Sequence, residues 1–330
     1  MKTLKDIPGR ASLKKRLGDE IKTGHAGHAY ILEGPQGVGK RDIARAFAYA
    51  LLCVSDELEK PCGRCRHCTM VKAGGTGELY ELLPEKGSIS INSIRELQQN
   101  INLIPYSSNR KVYIVIDADT MTVSAQNCIL KTLEEPPEYA VIIMTASNSD
   151  NLLETIKSRV VSLQVGINSV EEIEEYLGRN PAYDSDDIKL AARCADGSIG
   201  KAVEIIGSSE FMEQRAAAIM FADCLMSKEL EKSLAAIGRI AKGDLDIFFS
   251  SLSGLIRDML VMKTTGETGY LINKDKKDII IRGSERFPEH LLGKMVSLIN
   301  ESADRVRANA AKKQTLDAMI VKITEELAGW

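Results

Sequence analysis

Two clusters and two shorter motifs carry residue types and spacings that could do chemistry. The first is Gly34-Pro35-Gln36-Gly37-Val38-Gly39-Lys40. The pattern Gly-x-x-x-x-Gly-Lys builds a backbone cradle for phosphates, and a following Ser or Thr hydroxyl normally ligates the nucleotide's Mg²⁺. Here the next residue is Arg41, a cation with no acceptor atom. The second motif is Val112-Tyr113-Ile114-Val115-Ile116-Asp117-Ala118. An apolar strand ending in an acid is the usual partner of a phosphate loop, because that acid holds the metal. The general base expected one residue later is replaced by Ala118, and loss of such a base costs ~10²–10⁴ in rate. Gly34, Gly37, Gly39, Lys40 and Asp117 are therefore candidate residues of a degenerate site for ATP or ADP. The alternative is a loop kept for its backbone shape, with no nucleotide bound.

The second cluster is Cys53, Cys62, Cys65 and Cys68. Thiolates at this spacing suit one tetrahedral zinc, and four of them close the shell, which favours a structural role. An iron–sulfur cluster or reduced thiols are the alternatives. Within the cluster, His67 reads as a surface residue. Cys128, Cys194 and Cys224 fall in helical patterns and read as small buried residues. The last motif, Thr155-Ile156-Lys157-Ser158-Arg159, carries little meaning alone, and a surface salt bridge is its ordinary fate.

Strands alternating with helices must position these groups. The stretch His28 to Glu33 runs into the glycine loop, and a helix follows from Lys40 to Cys53. Further strands are expected at Leu79 to Leu83, Lys111 to Ile116, Ala140 to Thr145 and Val160 to Val165. Ser93 and Glu96 read as a capping box opening a helix to about Leu103. Another helix ends at Pro136-Pro137. This alternation implies a parallel sheet covered on both faces, with sites at the carboxyl ends of strands. After Gly166 the strand signal disappears. Ser169 and Glu172 form a second capping box, and a small helical segment reaches about Gly207. Beyond it, Leu316, Met319, Ile320, Ile323 and Leu327 keep helical spacing, as do Leu245, Phe248, Leu252, Leu255 and Met259. Thr264 to Lys274 reads as a loop.

A chain of 330 residues can hold two or three domains. Its net charge of −3 gives no global basic field for autonomous DNA binding. No apolar run approaches the roughly 20 residues of a membrane span, and no signal-type stretch opens the chain, so a cytoplasmic location is expected.

Taken together, these residues resemble the AAA+ clamp-loader family of bacterial replication. The resemblance rests on His28-Ala29-Tyr30 with the glycine loop, the four cysteines, Leu130-Lys131-Thr132-Leu133-Glu134-Glu135-Pro136-Pro137, and Ser158-Arg159. It covers residues 1 to 207 well, and the remainder matches in length and class only. It implies an α/β fold followed by an all-α part: an AAA+ P-loop parallel-sheet domain (1–166) with an inserted zinc module (53–75), a helical lid (167–207) and a helical collar domain (208–330). It also implies a hetero-pentamer with delta and gamma/tau subunits of the DNA polymerase III clamp loader, acting on the sliding clamp and primed DNA. Arg159, with Ser158, would be an arginine finger entering the ATP site of a neighbouring subunit.

Hydrolysing members of the family carry Lys-Thr or Lys-Ser, then Asp-Glu, then Gly-Ser-x-Arg. This chain has Lys40-Arg41, Asp117-Ala118 and Gly197-Ser198-Ile199-Gly200, and Val160 where Ser-Arg-Cys is usual. The pattern implies a subunit that completes another's site without firing its own. One alternative is a hydrolysing gamma/tau-type subunit with Asp119 as surrogate acid. Another is a zinc-dependent nucleic-acid module using Lys60, Arg64, Arg66, His67 and Lys72. The scarcity of stacking aromatics around those residues makes a solvated basic rim the simpler reading.

Overall fold

Strand β1 (Ala29–Glu33) is buried along nearly its whole length, as expected of a central strand in a parallel sheet. A computed structural model describes residues 2–55, 57, 59–106, 108–227, 240 and 243–328. It divides into two compact units, one of residues 1–182 and 195–203, the other of 183–194 and 204–330.

The first unit contains a five-stranded sheet in the order β2-β3-β4-β1-β5, with β2 at Leu79–Leu82, β3 at Lys111–Val115, β4 at Ala140–Ala146 and β5 at Val161–Gln164. Every pairing is parallel. Successive side chains point to opposite faces, so two cores form. On one face Tyr30, Leu32, Ile114 and Ile143 pack with Leu17 of α1 (Ala11–Thr23) and Phe47 of α2 (Lys40–Leu52). On the other, Ile31, Tyr113 and Ile142 meet Ile94 and Leu97 of one helix and Ile129 and Leu133 of another. Between α2 and β2 lies α3 (Arg66–Lys72); α4 spans Ile91–Ile101 and α5 Val123–Glu134. Each such aliphatic side chain contributes ~1.5–3 kcal/mol on burial.

The sheet matches the strands expected from sequence to within about a residue at each end. The start of α4 differs. Its N-cap is Ser90, whose hydroxyl accepts from the Ser93 N–H at 3.2 Å, so Ser93 is already inside the helix. Serines three apart offer the same local signal, and the extended backbone of Ser90 decides between them. The Ser169–Glu172 capping box is present at the start of α7 (Val170–Gly178).

Among the described residues the remaining helices are α6 (Glu154–Lys157), α8 (Ser185–Cys194), α9 (Ile199–Ile205), α10 (Ser209–Ser227), α11 (Leu245–Thr265), α12 (Lys277–Arg286), α13 (Glu289–Arg307) and α14 (Lys312–Ala328). Phe248, Leu252 and Met259 of α11 pack with Phe221 of α10, Ile299 of α13 and Ile320 of α14 in the core of the second unit. Asp258 is fully buried there, accepting from the backbone N–H groups of Ile272 and Asn273 at 3.1 and 2.7 Å. It anchors the Thr264 to Lys274 connection, which holds a short 3₁₀ turn at Thr268–Tyr270. None of the described helices is long and apolar enough to cross a membrane.

Candidate nucleotide site, surface arginine and cysteine cluster

The glycine loop joins the end of β1 to the start of α2, where helix N–H groups suit an anion. Gly39 caps α2 with φ of 95°, a conformation that side chains disfavour. Gly34 donates its N–H to Ala146 O at 3.2 Å, and a Cβ on it would collide with the Val165 carbonyl oxygen. Gly34→Ala is expected to destabilise the chain by ~1–3 kcal/mol through overpacking against backbone, read as a lower urea midpoint with an unchanged slope.

Lys40 is 6% exposed and its ammonium turns back into the loop. It donates to Gly34 O at 2.7 Å, Pro35 O at 2.8 Å and Ser147 Oγ at 3.2 Å. Burial pulls its pKa down, and the charges of Asp117 and Asp119 partly oppose that. Asp117 lies two residues past the end of β3 in a left-handed conformation (φ 50°), with its N–H on Thr145 Oγ1 at 2.9 Å. Ala118 behind it is completely buried. Asp119 Oδ2 accepts from the N–H groups of Ser147 and Asn148, both at 3.0 Å, while its Oδ1 is buried without a hydrogen-bond partner among the described residues. Arg41 points to β2, where it lies 3.4 Å from Glu81, and Arg45 grips the same carboxylate through two bonds of 2.7 Å.

Residues 198–200 lie against the loop. Gly200 donates its N–H to Gly37 O at 3.0 Å, and a Cβ at residue 200 would sit 3.2 Å from Gly37 Cα. A larger residue at 200 would have to push the loop away. Arg10, absent from the sequence reading, closes the other side. Its guanidinium donates to Val38 O at 2.6 Å, Gly166 O at 3.0 Å and Asn168 Oδ1 at 2.7 Å. No local pattern marks it, because its partners come from far along the chain.

Arg159 is placed elsewhere, between α6 and β5. It pairs with Glu134 at 2.7 Å and donates to Thr155 O and Ser158 Oγ at 2.8 and 3.0 Å. The side chain is 34% exposed, and all these partners are near neighbours on the same surface.

The four cysteines converge, their Sγ atoms all within 4.8 Å of one another. Two edges, Cys53–Cys65 and Cys62–Cys68, measure 3.9 and 4.0 Å. A tetrahedral shell with Zn–S of ~2.3 Å needs edges of ~3.8 Å, so the donor set fits zinc. The N–H groups of Cys62, Cys65 and Cys68 point at Sγ of Cys53, Cys62 and Cys65 at 3.4, 3.3 and 3.5 Å, the arrangement that stabilises thiolates. The backbone N–H of Arg64 leads in drawing the Cys62 thiol down to about 6, while burial pushes Cys53 and Cys68 up. His67 is a correction to the sequence reading. It is 4% exposed, with Nε2 3.3 Å from Glu78, and it stands outside the four-sulfur group. The apolar surroundings of α3 carry it inward, where Glu78 supplies a polar partner. Of the other cysteines, Cys224 is buried and Cys128 and Cys194 are half-buried.

A family model described as DNA polymerase III, delta subunit, matches residues 9–168. The tau subunit of DNA polymerase III from Bacillus subtilis strain 168 is 23% identical over 97% of this chain and 61% of its own length. The delta' subunit from the same organism is 31% identical over 65% of this chain and 64% of its own. The chain is thus similar to delta-type and tau-type subunits of DNA polymerase III. A solved gamma subunit-related protein of DNA polymerase III from Thermotoga maritima is 22% identical over 94% of this chain and 98% of that one, with a TM-score of 0.48. This chain spans less than two thirds of the length of the tau relative.

The geometry sorts the candidate residues plainly. The loop glycines, Lys40 and Asp117 gather at the carboxyl ends of β1 and β3. Arg159 and the cysteines form two further, separate groups.

Proposed function

We propose that this chain is a delta-prime-type clamp-loader subunit that does not hydrolyse ATP and supplies Arg159 in trans to the ATP site of a gamma/tau-type neighbour. One observation carries the reading. The metal-ligating hydroxyl and the base are replaced by Arg41 and Ala118, and Lys40 is engaged within the chain, whereas Arg159 sits on the surface. Lys40 would have to leave three oxygen partners to reach a phosphate. Arg41 offers no metal ligand and Ala118 no base, and one oxygen of Asp119 is held by two backbone N–H groups. Gly200 lies on Gly37, where hydrolysing members would place an arginine over the phosphates.

In this account the domains are the P-loop domain (1–166), the lid (167–207) and the collar (208–330). The partners are delta and gamma/tau subunits in a hetero-pentamer that loads the sliding clamp on primed DNA. Cys53, Cys62, Cys65 and Cys68 would hold one zinc, which cross-links the module of residues 53–75. ATP or ADP, if held, would meet the Gly34–Lys40 loop and be retained unhydrolysed.

Reconstitution with partner subunits, clamp and primed DNA tests the proposal. Arg159→Ala should lower stimulated ATP hydrolysis; an unchanged rate would remove the finger. A second reading, a hydrolysing gamma/tau-type subunit, draws on the tau relative and on the presence of Lys40 and Asp117. It expects Arg41→Thr to raise turnover by restoring a metal ligand. Our reading expects no gain above background, because position 118 still lacks a base. Phosphate release by the purified variant separates the two.

A further inference from the structure

Outside the nucleotide loop and the cysteine cluster, one groove of about 460 Å³ opens between α1, the first residues of the chain and the Glu59–Pro61 stretch. Its floor is apolar, made by Leu4, Ile21 and Pro61. Its rim is basic, with Lys15, Lys22 and Lys60 facing it. Among the described residues these three lysines have no ion-pair partner, whereas Lys5 is paired with Glu59 and Lys14 donates to Ile7 O at 2.9 Å. Asp19 is the remaining acid on the rim. A concentrated positive rim on a chain of net charge −3 is a local feature and does not follow from composition.

Gly18 adds an independent observation. It lies inside α1, where glycine costs ~0.5–1 kcal/mol relative to alanine. Neither a positive φ nor close packing demands it, since a Cβ there would meet nothing within 4 Å. It lines the groove, and its missing side chain widens the space between the lysines.

We infer that this groove binds an acidic peptide segment of a partner polypeptide, with carboxylates on Lys15, Lys22 and Lys60 and an aliphatic side chain on the floor. Charge complementarity and the apolar floor together select that occupant. No aromatic ring and no arginine line the groove. Bases would find nothing to stack on, and phosphates would find no bidentate fork. The inference is independent of which subunit's ATP is hydrolysed.

The test uses the full chain and the fluorescein-labelled peptide Glu-Glu-Leu-Glu-Glu-Leu, followed by fluorescence anisotropy at low salt. Saturable binding is expected, with no saturation by the Gln-Gln-Leu-Gln-Gln-Leu analogue. Lys15→Glu combined with Lys22→Glu should weaken it at least tenfold. Gly18→Leu, which fills the space, should do the same, while Gly18→Ala retains binding and raises the melting temperature. Circular dichroism confirms that each variant is folded. Affinity within twofold of the parent in the double lysine variant overturns the site. Tighter, equally mutation-sensitive binding of a ten-nucleotide deoxythymidine strand overturns the peptide as its occupant.

Discussion

Arg159→Ala is expected to leave the isolated chain folded and to abolish hydrolysis at one ATP site of the reconstituted assembly. An arginine finger stabilises charge on the transferring phosphoryl group and is worth ~10³–10⁵ in rate. The local contacts of Arg159 do not compete with that. Its pair with Glu134 is partly exposed, at 34% and 49%, and exposed pairs contribute ~0–1 kcal/mol. A neighbour's phosphate can therefore draw the guanidinium away at little cost. The same weakness makes the substitution harmless to the fold, within about 0.5 kcal/mol. Single-turnover hydrolysis in the presence of clamp and primed DNA should lose the share contributed by the completed site. Arg159→Lys keeps the charge without the planar fork and should resemble alanine more than arginine.

Removing metal from the cysteine module, by chelation or Cys68→Ser, is expected to have the next largest effect and to keep it local. Structural zinc contributes an apparent ~10–16 kcal/mol in small modules that have little else to hold them. Here the module is inserted between α2 and β2. Both sheet cores draw chiefly on side chains outside it, such as Phe47, Ile114, Tyr113 and Ile129. Deuterium uptake should rise across residues 53–75 and stay low in β1, β3 and β4. Elemental analysis of the untreated chain should find about one zinc per polypeptide. Global exchange on chelation, or iron in place of zinc, would contradict this account.

Much of this arrangement was legible in the sequence, for a physical reason. Buried parallel strands are short β-branched runs such as Val112-Tyr113-Ile114-Val115, and glycines mark the loop where φ turns positive. The cysteine spacing likewise foretells the cluster, since thiols three positions apart at a turn cannot be far apart in space. What was hidden depends on contacts between distant segments. Lys40 folding onto Gly34 O and Pro35 O, Arg10 tying Val38 O to Asn168, and Gly200 resting on Gly37 leave no local pattern. Four cysteines already complete a metal shell and leave His67 no role there, so the sequence places it outward, yet folding supplies Glu78 and buries both. The cap at Ser93 is a residue pattern that Ser90 carries equally three residues earlier, and the structure uses Ser90.

ATP turnover by the purified chain alone tests the central claim most directly. A chain whose lysine, metal position and base are engaged or replaced should release no phosphate above background, and Lys40→Ala should change nothing. Steady hydrolysis by the lone chain, abolished by Lys40→Ala, would contradict the account.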